Sequence, residues 1–331
     1  MKIKRGFGMN LQTKMWILVI AMFAILYGVI VGIGNYLGTG SVTGYIILAI
    51  GVTLFQYLIG PNMVTSMMKV RWVNASEEPE LHQMIEEMSR KAGIPKPKIG
   101  ISQMAVPNAF AFGRSVQDSR VCITTGIQKL LNKDELKAVI GHELSHIKHR
   151  DMVVITLLSV IPLILYWLGM RMMYGGTSRS QEKKGSSALI GMFALILYFI
   201  SNLLVLYGSR IREYYADQGS VSLGNPPHQL ATALYKLTYG SAKLKESQMG
   251  RQALNQVEGF RAFFLNDVAR GYQEFSTLKE LDQDFSGTID AEELFTLREK
   301  PVRISTSERM MELFTTHPNM LKRIKALAKL S

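Results

Sequence analysis

Within Gly141–Asp151 the chain reads Gly-His-Glu-Leu-Ser-His-Ile-Lys-His-Arg-Asp. His142 and His146 are four residues apart, so on a helix their imidazoles leave one face a turn apart and can close on a single zinc ion. Glu143 is turned about 100° from His142 at 3.6 residues per turn, which sets it beside such a metal instead of on it. That is the place of a general base that takes a proton from a metal-activated water. Five residues alone would also fit a solvated helix with two ordinary histidines. His149 lies about 10 Å along the axis from His142 at 1.5 Å per residue, too far to share the metal on a straight helix.

A catalytic zinc needs a third protein ligand and an open position. Arg212-Glu213-Tyr214-Tyr215-Ala216-Asp217 supplies a candidate, because two apolar runs leave from Asp151 and return to Ser209. Glu213 is therefore expected beside His142 and His146 as the third ligand. Asp217, one turn further on the same face, is expected to accept the second N–H of a ligating histidine and fix its tautomer. Paired with Arg210 or Arg212, Glu213 would otherwise read as a carboxylate at a membrane interface. His317, before Pro318 and the helix Met320–Leu330, is either a surface residue or an oxyanion donor reaching the zinc site.

A second set of ligand types stands in Asp282–Glu293. Asp282, Asp284, Ser286, Thr288 (through its carbonyl), Asp290 and Glu293 occupy every ligand position of a twelve-residue EF-hand loop, with Gly287 at the sharp turn. This predicts a Ca²⁺ site distinct from the zinc; the alternative is an acidic turn between helices that binds no metal.

The elements that must position these groups are legible around them. Asn132 with Glu135 three residues later forms a capping-box start, and Leu136, Val139, Ile140, Leu144 and Ile147 give the following helix an apolar stripe. Glu77–Ala92 has helical periodicity, and Lys98–Ser102 and Val121–Thr124 are short strand candidates. Pro107–Gly113 between them reads either as an exposed edge strand able to take an extended peptide or as a turn followed by a core strand.

Hydrophobic residues make up 47% of the 331, an ordinary share, but they are concentrated. Met15–Gly34, Gly44–Met68, Met152–Met170 and Gly185–Ser209 hold no Asp, Glu, Lys or Arg, and each is about long enough to span hydrocarbon. The expected organisation is a cytoplasmic tail at 1–14 and transmembrane helices 1 and 2 within 15–64. The first part of a soluble domain follows at 65–151, transmembrane helices 3 and 4 within 152–208, and the second part at 209–331 with the EF-hand-like insertion at about 241–310. Lys2, Lys4, Arg5 and Lys14 place the amino terminus in the cytoplasm. The loop 171–187 disagrees, carrying Arg171, Arg179, Lys183 and Lys184 against Glu182, so the third and fourth runs read either as full spans or as re-entrant. The net charge of +12 is scattered among membrane-flanking segments, which points to anionic headgroups and away from nucleic acid. The single cysteine, Cys122, excludes an intrachain disulfide. Spans almost without ionisable groups argue against a transporter.

Together, the apolar pair before residue 68, Pro107–Ala111, His142–Asp151, Arg212–Asp217, and His317-Pro318 with Arg323 resemble the HtpX-type membrane zinc metallopeptidases. A more distant likeness is to the CAAX prenyl endopeptidases. The resemblance covers nearly the whole chain except the insertion. It implies a mainly α protein with a small β-sheet, four transmembrane helices and a cytosolic gluzincin-like domain in the cell (inner) membrane. It also implies one zinc per chain and polypeptide substrates, membrane or unfolded proteins met in quality control. Asn108, Ala109, Phe110 and Ala111 would form the substrate strand, and His317 and Arg323 would approach the substrate. The competing readings are prenyl-peptide processing and a non-catalytic membrane scaffold with a structural zinc.

Overall fold

The computed structural model describes residues 13, 17, 18, 20–22, 24, 25, 42–174, 181–244, 248, 278–299 and 305–331. Most of the first apolar run, the link 35–41 and most of the insertion lie outside these residues. The chain divides into two compact units, Met1–Leu58 with Val154–Ile211, and Ile59–Val153 with Arg212–Ser331. Mostly helical, it carries one small mixed sheet.

The first unit is built of long apolar helices. They are α1 (Val42–Met67) as far as Leu58, α5 (Asp151–Tyr174) from Val154 and α6 (Gln181–Ser222) as far as Ile211. Leu158, Ile161 and Leu165 of α5 pack with Leu18 and Met22 and with Leu197 and Leu204 of α6. Among the described residues one stretch, Ala188–Ser222 of α6, is long and apolar enough to cross a membrane by length and composition. The expected second and third runs fall on α1, 26 residues with Pro61 inside it, and on α5, 24 residues with Pro162 inside it.

The second unit holds the sheet, β1 (Val70–Trp72), β2 (Lys98–Ser102), β3 (Ala109–Gly113) and β4 (Ser119–Thr124), in the order β1-β2-β4-β3. Only the central pair β2–β4 is parallel. Helix α2 (Pro79–Ala92) begins two residues later than its periodicity suggests, because Pro79 suits the first helical position. It ends on Gly93, whose φ of 71° is the left-handed cap. Strand β3 alternates sides. Ala109 and Ala111 join the main core, whereas Phe110 and Phe112 face Met68, Val106 and Cys122.

Thr125–Leu130 forms α3, capped by the Thr124 side chain on the Ile127 N–H. Lys133–Lys148 forms α4, which opens on the expected box: the Asn132 side chain takes the Glu135 N–H and Glu135 reaches back to the Asn132 N–H. The main core gathers α2, α4, β2 to β4, α7 (Pro227–Leu244), α8 (Ala291–Glu299) and α10 (Met320–Ala328). Helix α9 (Thr306–Glu312) precedes the last turn into His317.

Candidate active site

Helix α4 must lie close to the last turns of α6 if Glu213 is to meet the two histidines, and small residues allow it. A Cβ at Gly141 would meet Asn225, Met88 and Ser220 at 2.5–2.8 Å, and one at Gly219 would strike the Ser145 side chain. The Ser220 hydroxyl donates to the Ala138 carbonyl at 2.6 Å, pinning the crossing. A larger side chain at Gly219 would press on Ser145 down to its Cβ and push α4 away from the end of α6.

The crossing brings His142, His146 and Glu213 into one cluster whose ligand atoms lie within 4.8 Å of one another. His142 Nε2 and His146 Nε2 are 3.1 Å apart, and a Glu213 oxygen lies 3.5 Å from each. On the far side of each ring Nδ1 faces a carboxylate, Asp217 at 2.9 Å for His142 and Asp151 at 2.7 Å for His146. A carboxylate accepts, so each Nδ1 carries the proton and each neutral Nε2 presents a lone pair. With both rings neutral, two lone pairs would face each other at 3.1 Å and repel, a conflict that a shared metal ion or a proton removes. Two nitrogens on a tetrahedral zinc at 2.0–2.1 Å would be about 3.3 Å apart. Glu213 Oε2 adds a second sign. It is buried without a hydrogen bond, with Arg323 Nη1 3.0 Å away as an ion-pair partner. The donor set therefore fits a zinc ion. Without such a cation the same carboxylates favour imidazolium. Burial opposes the charge, yet Asp217 and Glu213 raise His142, and Asp151 and Glu213 raise His146 to about 10. Metal and protons thus compete for the same nitrogens.

Glu143 is 4% exposed. Burial lifts its carboxyl above the usual range and the Glu213 charge adds to this, while both histidines and the Ala111 N–H pull the other way. The net shift is upward, the direction that burial imposes on a carboxyl. The Ala111 N–H is available because of strand register. Asn108 pairs with Thr124, its carbonyl taking the Thr124 N–H at 2.9 Å and its N–H donating to Thr124 Oγ1 at 2.8 Å. Alternation then turns Phe110 and Phe112 toward β4, and the backbone groups of Ala109, Ala111 and Gly113 outward. Among the described strands β3 has one neighbour, so this is an edge. Of the two readings of Pro107–Gly113, each holds in part: the strand is an edge, and Asn108, Ala109 and Phe110 are buried.

His317 is buried, its Nε2 3.9 Å from Glu213 Oε1 and its Nδ1 2.8 Å from the Thr316 hydroxyl. Arg323, expected near the substrate, is fully buried. Its Nε and Nη2 donate to Asp217 at 2.9 and 2.7 Å, so its fork holds the carboxylate that orients His142. Two residues of the site escaped the sequence reading, Asp151 and Arg212. Arg212 Nη1 donates to the Asp151 carbonyl at 2.9 Å, and its Nε lies 3.6 Å from the Asp151 carboxylate. The chain reaches that position because Arg150 takes a φ of 59°, ending α4 and starting α5 at Asp151. The signal was an acid five residues past His146, directly at the start of an apolar run.

The acidic loop lies apart from this cluster in sequence and in ligand type. One oxygen each of Asp282, Asp284 and Glu293 also lie within 4.8 Å of one another.

A model of peptidase family M48 matches residues 75–331. The chain is 47% identical over 250 residues to a protein named Protease HtpX homolog from Methanothermobacter thermautotrophicus, covering 76% of this chain and 93% of that one. It is 32% identical over 298 residues to a protein of the same name from Moorella thermoacetica, covering 88% and 85%. Among solved structures, Ste24p of S. mikatae matches with a TM-score of 0.50 at 17% identity, over 95% of this chain and 67% of that one, a likeness of fold.

Proposed function

The chain belongs to peptidase family M48 and is a membrane metallopeptidase, and we propose that it is a multi-pass zinc endopeptidase cleaving unfolded or membrane proteins from the cytosolic side. The observation that carries the reading is the pair of imidazoles whose Nε2 atoms converge with Glu213 while Asp217 and Asp151 hold their Nδ1 atoms. Zinc held there by His142, His146 and Glu213 supplies Lewis acidity, polarising a carbonyl and acidifying water. Glu143 takes a proton from the attacking water and delivers it to the leaving amine. The outward backbone groups of Ala109 and Gly113 bind an extended substrate as an added strand, with Ala111 bridging to Glu143. His317 donates to the oxygen on which negative charge develops. Asp217, Asp151, Arg323 and Arg212 position the ligands without touching substrate.

Four spans, the first two before residue 64 and the second two within 152–208, anchor this arrangement with both soluble parts in the cytoplasm. The buried Glu143 beside a set of three ligands among the described residues argues against a structural zinc, which is closed by four protein ligands. The test is cleavage by the purified full chain of unfolded protein, a membrane protein and a prenylated peptide. We expect cleavage of the first two, loss with a chelator, return with zinc, and loss in Glu143→Gln with its zinc retained. Cleavage that survives the chelator or Glu143→Gln refutes the reading, and cleavage of the prenylated peptide alone moves the substrate class.

A further inference from the structure

We propose that Asp282–Glu293 is a calcium site that braces the peptidase core through Thr232, a function independent of the zinc chemistry. Asp282 is 5% exposed, and its two oxygens are treated differently. Oδ2 accepts the Tyr235 hydroxyl at 3.1 Å and the Gly287 N–H at 3.0 Å, whereas Oδ1 is buried with no hydrogen-bond partner. A carboxylate oxygen removed from water and left unpaired is costly, and it lies among carboxylates that repel it. Oxygens of Asp284 and Glu293 stand within 4.8 Å in the same cluster. A cation shared by the three resolves both penalties.

The donor set selects the cation. Asp284 and Ser286 follow at alternate positions, Thr288 offers a carbonyl, and Asp290 and Glu293 complete a loop with no nitrogen or sulfur ligand. Oxygen-only loops of this length suit Ca²⁺, while the imidazole site suits zinc. Glu293 is already folded over the loop, its two oxygens on the N–H groups of Gln283 at 2.6 Å and Asp290 at 3.1 Å. Gly287, with a φ of 80°, makes the turn.

The brace is visible in Ile289. Its N–H donates to Thr232 Oγ1 at 3.0 Å and its carbonyl accepts the same hydroxyl at 2.8 Å. These backbone groups are satisfied by helix α7. Tyr235, one turn along α7, is the donor to Asp282. Ile289, Leu294 and Leu297 are buried in the same core as α4 and α10. Lys325 of α10 donates to the Leu297 and Arg298 carbonyls at 2.6 and 2.8 Å, and Arg323 of the same helix holds Asp217 and Glu213. Ordering the loop therefore fixes α8 against α7 and α10, and α10 carries Arg323 to Glu213 and Asp217.

The test uses the full chain in detergent with its zinc retained, titrated calorimetrically with CaCl2 and in parallel with MgCl2. We expect one calcium per chain at a dissociation constant of about 10⁻⁴ M, with a rise in unfolding temperature on saturation. Asp284→Asn, at an exposed position, and Glu293→Gln, at a half-buried one, should lose calcium uptake at full zinc content. Thr232→Val should keep the uptake and lose most of the temperature rise. No saturable uptake up to millimolar calcium, or uptake in both acidic-site variants equal to that of the wild type, overturns the site. Uptake in the wild type without a temperature shift overturns the brace.

Discussion

Replacing Arg323 with Met removes a fully buried cation and leaves two carboxylates facing each other. The guanidinium reaches Asp217 at 2.7 and 2.9 Å and Glu213 at 3.0 Å. Breaking a buried pair by removing one partner costs about 3–5 kcal/mol, because the remaining charge is stranded. Against a typical total of about 5–15 kcal/mol, the variant should fold but unfold at clearly lower denaturant. Zinc changes the sum. The cation of Arg323 opposes a metal at Glu213, and a bound metal would neutralise the carboxylate that the substitution strands. The cost should therefore be larger in chelator than in zinc. Each 1.4 kcal/mol or so of difference requires, by linkage, a variant that binds zinc about ten times more tightly. The assay is urea unfolding followed by Trp72, whose half-buried ring lies 6.4 Å from Phe112 in the sheet, in a background of Trp16→Phe and Trp167→Phe. Zinc affinity is measured in the same preparations, and peptidase activity should fall although the metal is held. A cost below about 1 kcal/mol in chelator, or weaker zinc binding in the variant, would refute this account of Arg323.

Asp217→Asn and Asp151→Asn keep an acceptor for the histidine Nδ1 but remove its charge, and each should weaken zinc binding by about 10–100-fold; equilibrium dialysis at fixed pH checks this. Ala111→Pro deletes the N–H that reaches Glu143 but no rung of the ladder to β4, so zinc content should hold while kcat falls and KM rises in steady-state assays. Gly219→Ala should separate α4 from α6 and reduce zinc occupancy, measured by metal analysis, with the sheet intact by circular dichroism. Accessibility labelling should find positions 5, 90 and 230 in the cytoplasm and position 40 outside; cytoplasmic labelling at position 180 would make the third and fourth runs re-entrant.

The parts of the site that were legible share one property: their placement is set by spacing on a single element. His142, Glu143 and His146 follow from helical geometry, Asn132 and Glu135 from a reciprocal cap, and Asp217 from one turn beyond Glu213. Strand β2 was read with its observed limits, and β4 begins two residues before its apolar run because Ser119 still pairs with Gly113. What escaped depends on where the chain turns. Asp151 serves His146 only because Arg150 adopts a left-handed conformation, which no periodicity announces.

Arg323 shows the same limit at longer range. Asp217 is 106 residues away in sequence, and nothing near position 323 tells a solvated arginine on an amphipathic helix from a buried fork. The helix pattern does place Arg323 on the face of Met320, Ile324 and Leu327, all buried. An arginine on an apolar face must find carboxylates, and the carboxylates already committed to the zinc ligands were the ones within the fold's reach. Its charge thus belongs to the same balance as the metal: three acids, Asp151, Glu213 and Asp217, are offset by Arg212 and Arg323 and leave one negative charge. With neutral imidazoles that residual charge falls beside the facing Nε2 lone pairs, which is the electrostatic condition for holding a divalent cation while leaving Glu143 free to move a proton.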